Sequence, residues 1–142
     1  MITLAQLLDN KGHEAHTIGA EAPVIEAVRE MAGKHVGALL VMEGARLVGV
    51  ISERDYARKC VLMGRSSSDT PVRDIMSAPV IGISPQETVE DAMRVMTERR
   101  FRHLPVLDGG SVVGVVSIGD LVKCVIEDQR HLIEDLQHYI RG

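Results

Sequence analysis

The amino-acid sequence predicts an α/β (α+β) fold in which two β-α-β-β-α repeats pack with pseudo-two-fold symmetry and helices flank small sheets. The first observation is an internal repeat, because residues 44–55 align without a gap to residues 109–120, 65 positions later. The second is apolar spacing at i, i+3, i+4 and i+7 from Val24 and again from Val89, which predicts two amphipathic helices. The third is Asp-Gly-Gly at 108–110 between two apolar runs, which predicts a tight hairpin because glycine accepts positive φ.

The first copy follows a short amphipathic helix that starts near Ile2 and ends before Gly12. Pro23 and Gly33 mark the first helix of the repeat, because proline is favoured in the first turn and glycine after the last. The predicted elements are a lead strand over 14–18, a helix over 23–33, strands over 37–42 and 47–51, and a helix over 53–64. The last helix is expected to bury Tyr56, Ala57, Cys60 and Val61.

The second copy follows a polar, serine-rich link, and its lead strand is expected over 79–83. Ser84, Pro85 and Glu87 supply a cap, a first-turn proline and an early acid, so a helix is expected to start there. The strand over 112–116 is continuously apolar, which favours burial on both faces. After Asp120 a helix is expected to bury Leu121, Val122, Val125 and Ile126. We place the first repeat at 8–64, the linker at 65–78, the second repeat at 79–127 and a C-terminal amphipathic helix at 128–142.

Composition narrows the classes of function. The 142 residues carry a net charge of −4 and only 2% aromatic side chains, which disfavours a nucleic-acid partner. No run reaches the roughly 18 apolar residues of a membrane helix, and no signal-peptide pattern opens the chain, so we expect a cytoplasmic protein without membrane insertion.

Cys60 and Cys124 are not equivalent positions of the repeat and are expected to be free and buried. His13 and His16 do not predict a metal, because two ligands on an extended strand do not make a site.

Each copy places a Ser-x-x-Asp tetrapeptide after the second strand of its hairpin, Ser52 to Asp55 and Ser117 to Asp120. Serine is a favoured N-cap, and an acid three residues later resembles a capping box. The hydroxyl and free N–H groups of a helix N-terminus would also suit a phosphate, and the carboxylate would suit a ribose diol. Two interpretations therefore stay open at this point, a simple helix cap and part of a nucleotide site.

Longer fragments carry a resemblance to a known family. They are Arg-His-Leu-Pro-Val at 102–106, Val-Gly-Val-Val-Ser-Ile-Gly-Asp at 113–120 and Val-Gly-Val-Ile-Ser-Glu-Arg-Asp at 48–55, with Pro-Val-Arg-Asp-Ile-Met at 71–76 as the link. Over roughly residues 8–126 the chain resembles a tandem pair of cystathionine-β-synthase (CBS) domains, or Bateman module. The resemblance implies a regulatory module that binds an adenine nucleotide, requires no cofactor, and often forms flat dimers of four repeats.

The resemblance also assigns two non-equivalent nucleotide clefts. Arg102 and His103 are nominated for phosphate, since arginine offers a fork of donors and a protonated histidine adds charge. The first copy lacks these cations and has Arg54 within its tetrapeptide, so its cleft is expected to be weaker. The residues of the second cleft are Gly82, Ile83, Arg102, His103, Leu104, Pro105, Val116, Ser117 and Asp120. The residues of the first are Thr17, Ile18, Gly37, Ala38, Ile51, Ser52, Arg54 and Asp55.

No catalytic arrangement, P-loop or dinucleotide motif is readable, so we expect a protein that is not an enzyme. The leading hypothesis is a sensor that reports ligand state to an unknown regulated protein by rearranging repeats or subunits. AMP suits a short phosphate patch best, while ADP, ATP, NAD(H) and S-adenosylmethionine stay open. The alternative is a ligand-independent dimeric scaffold. The apolar positions after residue 128 either fold back on the chain or, as we favour, contact a second copy as a homodimer.

Overall fold

The computed structural model describes residues 1–141, which form two compact units. The first-repeat unit is Ala15–Ile81, and the second-repeat unit joins Met1–Glu14 to the described residues from Gly82 onward. In chain order the helices and strands are α1 (Leu4–Lys11), β1 (Thr17–Gly19), α2 (Val24–Lys34), β2 (Ala38–Glu43), β3 (Arg46–Ser52), α3 (Glu53–Asp55), α4 (Val89–Arg99), β4 (His103–Asp108), β5 (Ser111–Ser117) and α5 (Ile118–Arg141). The mixed helix and strand content confirms the predicted fold class. The β-α-β-β-α order is complete in the first repeat, and the second repeat has the order α-β-β-α.

The first-repeat unit has a three-stranded sheet in the order β1-β2-β3. β1 runs parallel to β2, and β2 pairs antiparallel with β3 in the predicted hairpin. The helix after β3 continues from α3 as a π-helical segment over Tyr56–Val61. Its core is apolar and combines α2, the sheet and the following segment: Ala20, Val24, Ala27, Met31, Leu39, Val41, Ile51, Cys60, Val72 and Ile75.

The segment between the repeats is packed as part of the first-repeat unit. Val72 and Ile75 are fully buried there, on and after a short 3₁₀ turn over Val72–Asp74. The Val72 N–H donates to the Ala22 carbonyl over 2.8 Å, and the Arg73 N–H donates to the Ala20 carbonyl over 2.9 Å. These bonds and the buried side chains make residues of the expected linker structural members of this unit.

The N-terminal helix α1 is packed as part of the second-repeat unit. Its three leucines are buried, with Leu4 and Leu8 fully inside and Leu7 5% exposed. The Leu4 N–H donates to the Glu87 carbonyl over 2.9 Å, and the Ala5 N–H donates to the Pro85 carbonyl over 2.9 Å. The two-stranded sheet β4-β5, helices α4 and α5, and the bridge residue Ile83 supply the remaining core: Ile83, Val89, Ala92, Met96, Leu104, Val106, Val116 and Leu121.

Close packing explains two repeated glycines. A Cβ on Gly114 would lie 2.7 Å from Leu8 Cδ2, and a Cβ on Gly49 would lie 2.5 Å from Met76 Sδ. Both distances are shorter than van der Waals contact, so each strand admits its neighbour only because glycine has no side chain. The hairpin turn in the second-repeat unit uses glycine differently, since Gly109 and Gly110 both have positive φ, 58° and 86°.

Several local expectations are wrong. The lead strand predicted over 79–83 reduces to one parallel bridge between Ile83 and Val106, while the equivalent β1 has three residues. Helix α4 begins five residues after Ser84, because Thr88 caps it and forms a capping box with Asp91. Ser84 bonds to Gln86 in the preceding turn instead.

Burial also differs from the sequence-based expectation. Ala57 and Val61 are exposed because the π-helical turns rotate the apolar positions away from the core, and only Cys60 is fully inside. Strand β5 alternates half-buried valines with the buried Gly114 and Val116, since its sheet has only two strands. On α5, Leu121 is buried, but the next apolar positions are not: Val122 is 42% and Ile126 is 47% exposed, and Val125 is half-buried.

Helix α5 carries an exposed apolar stripe that continues to its end. We call the following residues the C-terminal stripe: Val122, Ile126, Leu132, Ile133, Leu136, Tyr139 and Ile140. Their side chains remain 42–84% exposed, so this part of the helix does not fold back on the chain as one alternative proposed. Across residues 1–141, no helix combines the length and apolar character needed to cross a membrane.

Candidate functional site

The Ser117–Asp120 tetrapeptide forms a reciprocal cap where β5 becomes α5. The Ser117 N–H donates to Asp120 Oδ2 over 2.8 Å, and the Asp120 N–H donates to Ser117 Oγ over 3.1 Å. The Ile118 N–H donates to the Arg102 carbonyl over 2.9 Å. The expectation of a helix start with free N–H groups is therefore wrong for these positions, because the protein already satisfies them. The N–H groups of Ser117, Ile118 and Asp120 are therefore engaged within the protein, whereas the Asp120 carboxylate keeps further acceptor capacity.

A lysine from the N-terminal helix, outside the second repeat, contacts this carboxylate. The Nζ of Lys11, at the end of α1, lies 2.8 Å from Asp120 Oδ2 and also donates to the Val115 carbonyl. Partial burial by itself would raise the pKa of Asp120, but the hydrogen bonds from Lys11 and Ser117 outweigh it and hold that pKa below its ordinary value. The carboxylate is thus kept ionised and fixed through Oδ2. Sequence reasoning missed Lys11 because no motif or repeat equivalence connects α1 to the end of β5.

The start of β4 brings the two predicted phosphate ligands to the same end of the sheet. His103 pairs with Ser117 in the antiparallel register, and Arg102 directly precedes the strand. Arg102 is exposed, whereas His103 is half-buried and interacts with another residue. The structure therefore brings Arg102, His103, Ser117 and Asp120 together around one strand end.

The apolar residues assigned to this cleft lie directly behind that strand end. Leu104 pairs with Val116, and both side chains are fully buried. The Ile83 N–H donates to the Pro105 carbonyl over 3.1 Å, which places the segment from Gly82 against β4. A Cβ on Gly82 would lie 2.4 Å from Leu107 Cδ1, so this approach also needs glycine.

The first-repeat unit has the same cap with a more enclosed aspartate. Asp55 Oδ2 accepts from the Ser52 N–H over 2.9 Å and from Ser52 Oγ over 3.0 Å, and Oδ1 accepts from Ser77 Oγ over 3.0 Å. Lys59 Nζ lies 3.0 Å from the same Oδ1. Both carboxylate oxygens of Asp55 are therefore engaged, and its side chain is 10% exposed, against 25% for Asp120.

The other first-cleft residues have positions equivalent to those in the second-repeat unit. Ala38 pairs with Ser52, and the Gly37 carbonyl accepts from the Glu53 N–H over 3.1 Å. Arg54 lies next to Asp55 and has an interaction with another residue. The remaining predicted residues lie on β1 and β3: Thr17, Ile18 and Ile51.

The His13 and His16 pair is not gathered into a metal centre. Among residues 1–141, no group of three His, Cys, Asp or Glu side chains is arranged to hold a metal ion. His13 instead contacts the Val113 carbonyl through Nδ1 at 2.8 Å and Asp9 through Nε2 at 3.2 Å, and these two hydrogen bonds raise its pKa. Both cysteines are free thiols, and Cys124 is half-buried rather than buried.

Two copies of one unit, each ending its hairpin in a Ser-x-x-Asp cap, define a tandem repeat module. The CBS domain family matches the chain twice, at residues 12–61 and 72–127. The chain therefore belongs to the CBS-domain family and contains a tandem pair of CBS domains.

Comparison with known proteins gives relatives along almost the whole chain. A CBS domain-containing protein named CBSX3, mitochondrial, from Arabidopsis thaliana is 38% identical across 99% of this chain and 72% of its own length. A putative signal-transduction protein with CBS domains from Burkholderia ambifaria has 48% identity and a TM-score of 0.86, over 89% of this chain and 96% of that one. A CBS domain protein from Pyrobaculum aerophilum, solved in complex with AMP, has 28% identity and a TM-score of 0.74, over 84% of this chain and 89% of that one.

Proposed function

We propose that this protein is a non-catalytic regulatory module that binds an adenine nucleotide, AMP foremost, at the Ser117–Asp120 strand end. Asp120 would accept hydrogen bonds from the ribose hydroxyls, and Arg102 and His103 would contact the phosphate. Occupancy would then be reported to a regulated protein through a rearrangement of repeats or subunits. The energy for that signal is limited to the difference in ligand affinity between the two arrangements.

The observation that carries this proposal is the ionised Asp120 carboxylate held at the same strand end as Arg102 and His103. All the contacts described for Asp120 fall on Oδ2, and we assign the ribose to Oδ1. A carboxylate and an arginine at one strand end suit a ligand that carries both a diol and an anion, as a nucleotide does. The AMP complex of the Pyrobaculum relative supports the choice of ligand.

The contrast with Asp55 supports a dominant second site. Asp55 is already hydrogen bonded at both oxygens, so a ribose would have to displace the protein's own donors. Gly37 and Ala38, at the positions of Arg102 and His103, offer no cationic side chain for phosphate. We therefore assign the tighter binding to the second-repeat unit and weak or no binding to the first.

Calorimetric titration with AMP, ADP, ATP, NAD(H) and S-adenosylmethionine tests the proposal. We expect micromolar binding of AMP to the unmodified protein, at least tenfold weaker binding to Asp120→Asn, and a change of less than threefold in Asp55→Asn, the matched control. Asparagine keeps an oxygen acceptor for the cap, so both variants are expected to fold. If none of the ligands binds, the ligand-independent scaffold becomes the better interpretation; equal losses in both variants would contradict the asymmetry.

We also propose that the C-terminal stripe packs against the same helix of a second copy, in parallel. The stripe places isoleucine at Ile126, Ile133 and Ile140, one every seven residues, as in a two-stranded coiled coil. Exposed bases border one side of it, and exposed acids border the other. The bases are Lys123 and Arg130, and the acids are Asp128 and Asp135.

These flanking charges select the orientation of the pair. In a parallel pair the acidic side of one helix faces the basic side of the other, whereas an antiparallel pair would oppose like charges. Sedimentation of the intact protein is expected to give a dimer that Ile133→Asp dissociates, with Ile133→Leu as the matched control. Leu136→Cys, near one end of the stripe, should form a disulfide between chains only if the helices are parallel and in register, because an antiparallel pair would separate the two copies of this position. A monomeric wild-type protein would contradict the proposal.

The compartment stays a prediction. The sequence predicts a cytoplasmic location, and the Arabidopsis relative is named as mitochondrial. The regulated protein is likewise identified only by its role, as the molecule that distinguishes the ligand-bound from the ligand-free module.

A further inference from the structure

The ammonium group of Lys11 lies at the proposed nucleotide site, although its residue comes from the N-terminal helix α1 and not from the second repeat itself. Its Nζ is 2.8 Å from Asp120 Oδ2 and also donates to the Val115 carbonyl. We propose that Lys11 is a specificity-determining residue, which makes the site select a phosphorylated nucleotide over the corresponding nucleoside. This inference rests on the proposed function, because it needs a nucleotide whose ribose lies at Asp120.

The backbone of Lys11 is fixed by the packing of α1. Leu4 and Leu8 are fully buried and Leu7 is 5% exposed, so the apolar side of the helix is anchored in the core of the second-repeat unit. Thr3 closes the other end of the helix with a capping box. Lys11 is therefore held at the end of β5 by seven preceding residues of rigid helix, and its two acceptors then orient the side chain.

The charge of the site explains why this position matters. A phosphate that binds beside an ionised carboxylate is repelled by it, and the pKa of Asp120 is held low enough that the carboxylate is ionised at neutral pH. Lys11 neutralises that charge at its source. The side chains of Lys11 and Asp120 are 35% and 25% exposed, so solvent screens the pair only in part. A nucleoside carries no phosphate and is insensitive to this balance.

The first-repeat unit supplies a matched comparison. Lys59 lies 3.0 Å from Asp55 Oδ1, but it comes from the next turn of the same helix, and Asp55 is enclosed. Suppose that a lysine beside a capping aspartate affects nucleotide binding only by stabilising the fold. Replacing Lys59 would then change the affinity for nucleotide as much as replacing Lys11. A site-specific role predicts that only the Lys11 variant changes ligand selection.

The test is the ratio of AMP affinity to adenosine affinity, measured by calorimetry at fixed ionic strength. In Lys11→Met we expect AMP to bind about fivefold to tenfold more weakly, while adenosine binding changes by less than twofold. Lys11→Arg should keep the ratio, and Lys59→Met should leave it unchanged. Adding Asp120→Asn to Lys11→Met should bring the ratio back toward that of Asp120→Asn alone, because the uncompensated charge is gone.

The adenosine measurement separates selection from folding, since a misfolded variant loses both ligands. Equal weakening of AMP and adenosine in Lys11→Met would overturn the inference and leave Lys11 only a structural role. Tighter AMP binding in that variant would also overturn it, because Lys11 would then compete with the ligand for Asp120. If the unmodified protein binds neither ligand, the proposed function itself fails; if it binds AMP and the ratio is unaffected by Lys11→Met, only this inference fails.

Discussion

Gly114→Ala should destabilise the unmodified protein but stabilise a protein that already carries Leu8→Ala. Leu8 is fully buried on α1, and its methyl groups occupy the space in which a Cβ on Gly114 would lie, at 2.7 and 2.9 Å. Gly114→Ala alone must therefore displace a packed side chain. In a protein that already carries Leu8→Ala, the same added methyl group enters a cavity.

The magnitudes follow from these contacts. Leu8→Ala removes three buried carbons, about 0.8 kcal/mol each, and leaves a cavity, so a loss of about 3–4 kcal/mol is expected. Gly114→Ala alone costs about 1–3 kcal/mol of overpacking, offset by about 0.5–1 kcal/mol because alanine loses less backbone entropy in a strand than glycine. In the Leu8→Ala background the overpacking disappears, and Gly114→Ala should stabilise by about 0.5–1 kcal/mol. The coupling between the two positions is therefore about 2 kcal/mol.

Urea denaturation of the four proteins at 25 °C measures this cycle, with the slope of the free energy of unfolding against urea checked for constancy. The expected result is a change of sign for Gly114→Ala between the two backgrounds. An equal destabilisation by Gly114→Ala with and without Leu8 would refute the reasoning, since it would mean that α1 does not pack on β5 as described.

Two further predictions concern the same caps and close approaches. Gly49→Ala should destabilise more than Gly114→Ala, because its Cβ would also meet the Ser77 backbone carbonyl at 3.0 Å, which cannot rotate away; urea denaturation compares the two. The lowered pKa of Asp120 should stabilise the protein above pH of about 4, the value in the unfolded chain, and this contribution should be lost as pH falls through the folded-state pKa. Thermal unfolding from pH 6 to pH 2 should therefore show a shallower acid decline in Asp120→Asn, and an unchanged profile would contradict the stabilising role of Lys11.

The repeat determined much of what could be predicted. The 65-residue register predicted both hairpins and both caps, since each cap is formed by the same short-range hydrogen bonds between a serine and the aspartate three residues later. The features that the sequence did not predict depend on long-range packing. The contact of Lys11 with Asp120 and the burial of Val72 link segments that are distant in the chain or polar in composition, and local patterns carry no signal for either.

The predicted start of α4 at Ser84 was wrong because short-range sequence signals were ambiguous. Ser84 and Thr88 both precede plausible helical positions, and the choice between them rests on the capping box that Thr88 closes with Asp91. A serine followed by proline has the right composition, but in the structure the Ser84 hydroxyl is used by a turn. Propensity alone does not distinguish these two uses of a hydroxyl side chain.

The placement of α1 has a consequence for synthesis of the chain. Helix α1 leaves the ribosome before the rest of its own unit, since the strands and helices that cover Leu4 and Leu8 begin only at residue 82. A full set of residues for the first-repeat unit emerges in between and can fold as a unit while α1 has no core of its own to join. The second-repeat unit is thus built from two separate stretches of the chain. A fragment that starts at residue 79 would expose the apolar surface that Leu4 and Leu8 cover. Expressing the second repeat by itself therefore requires α1 to be supplied, either fused ahead of residue 79 or added as a separate peptide.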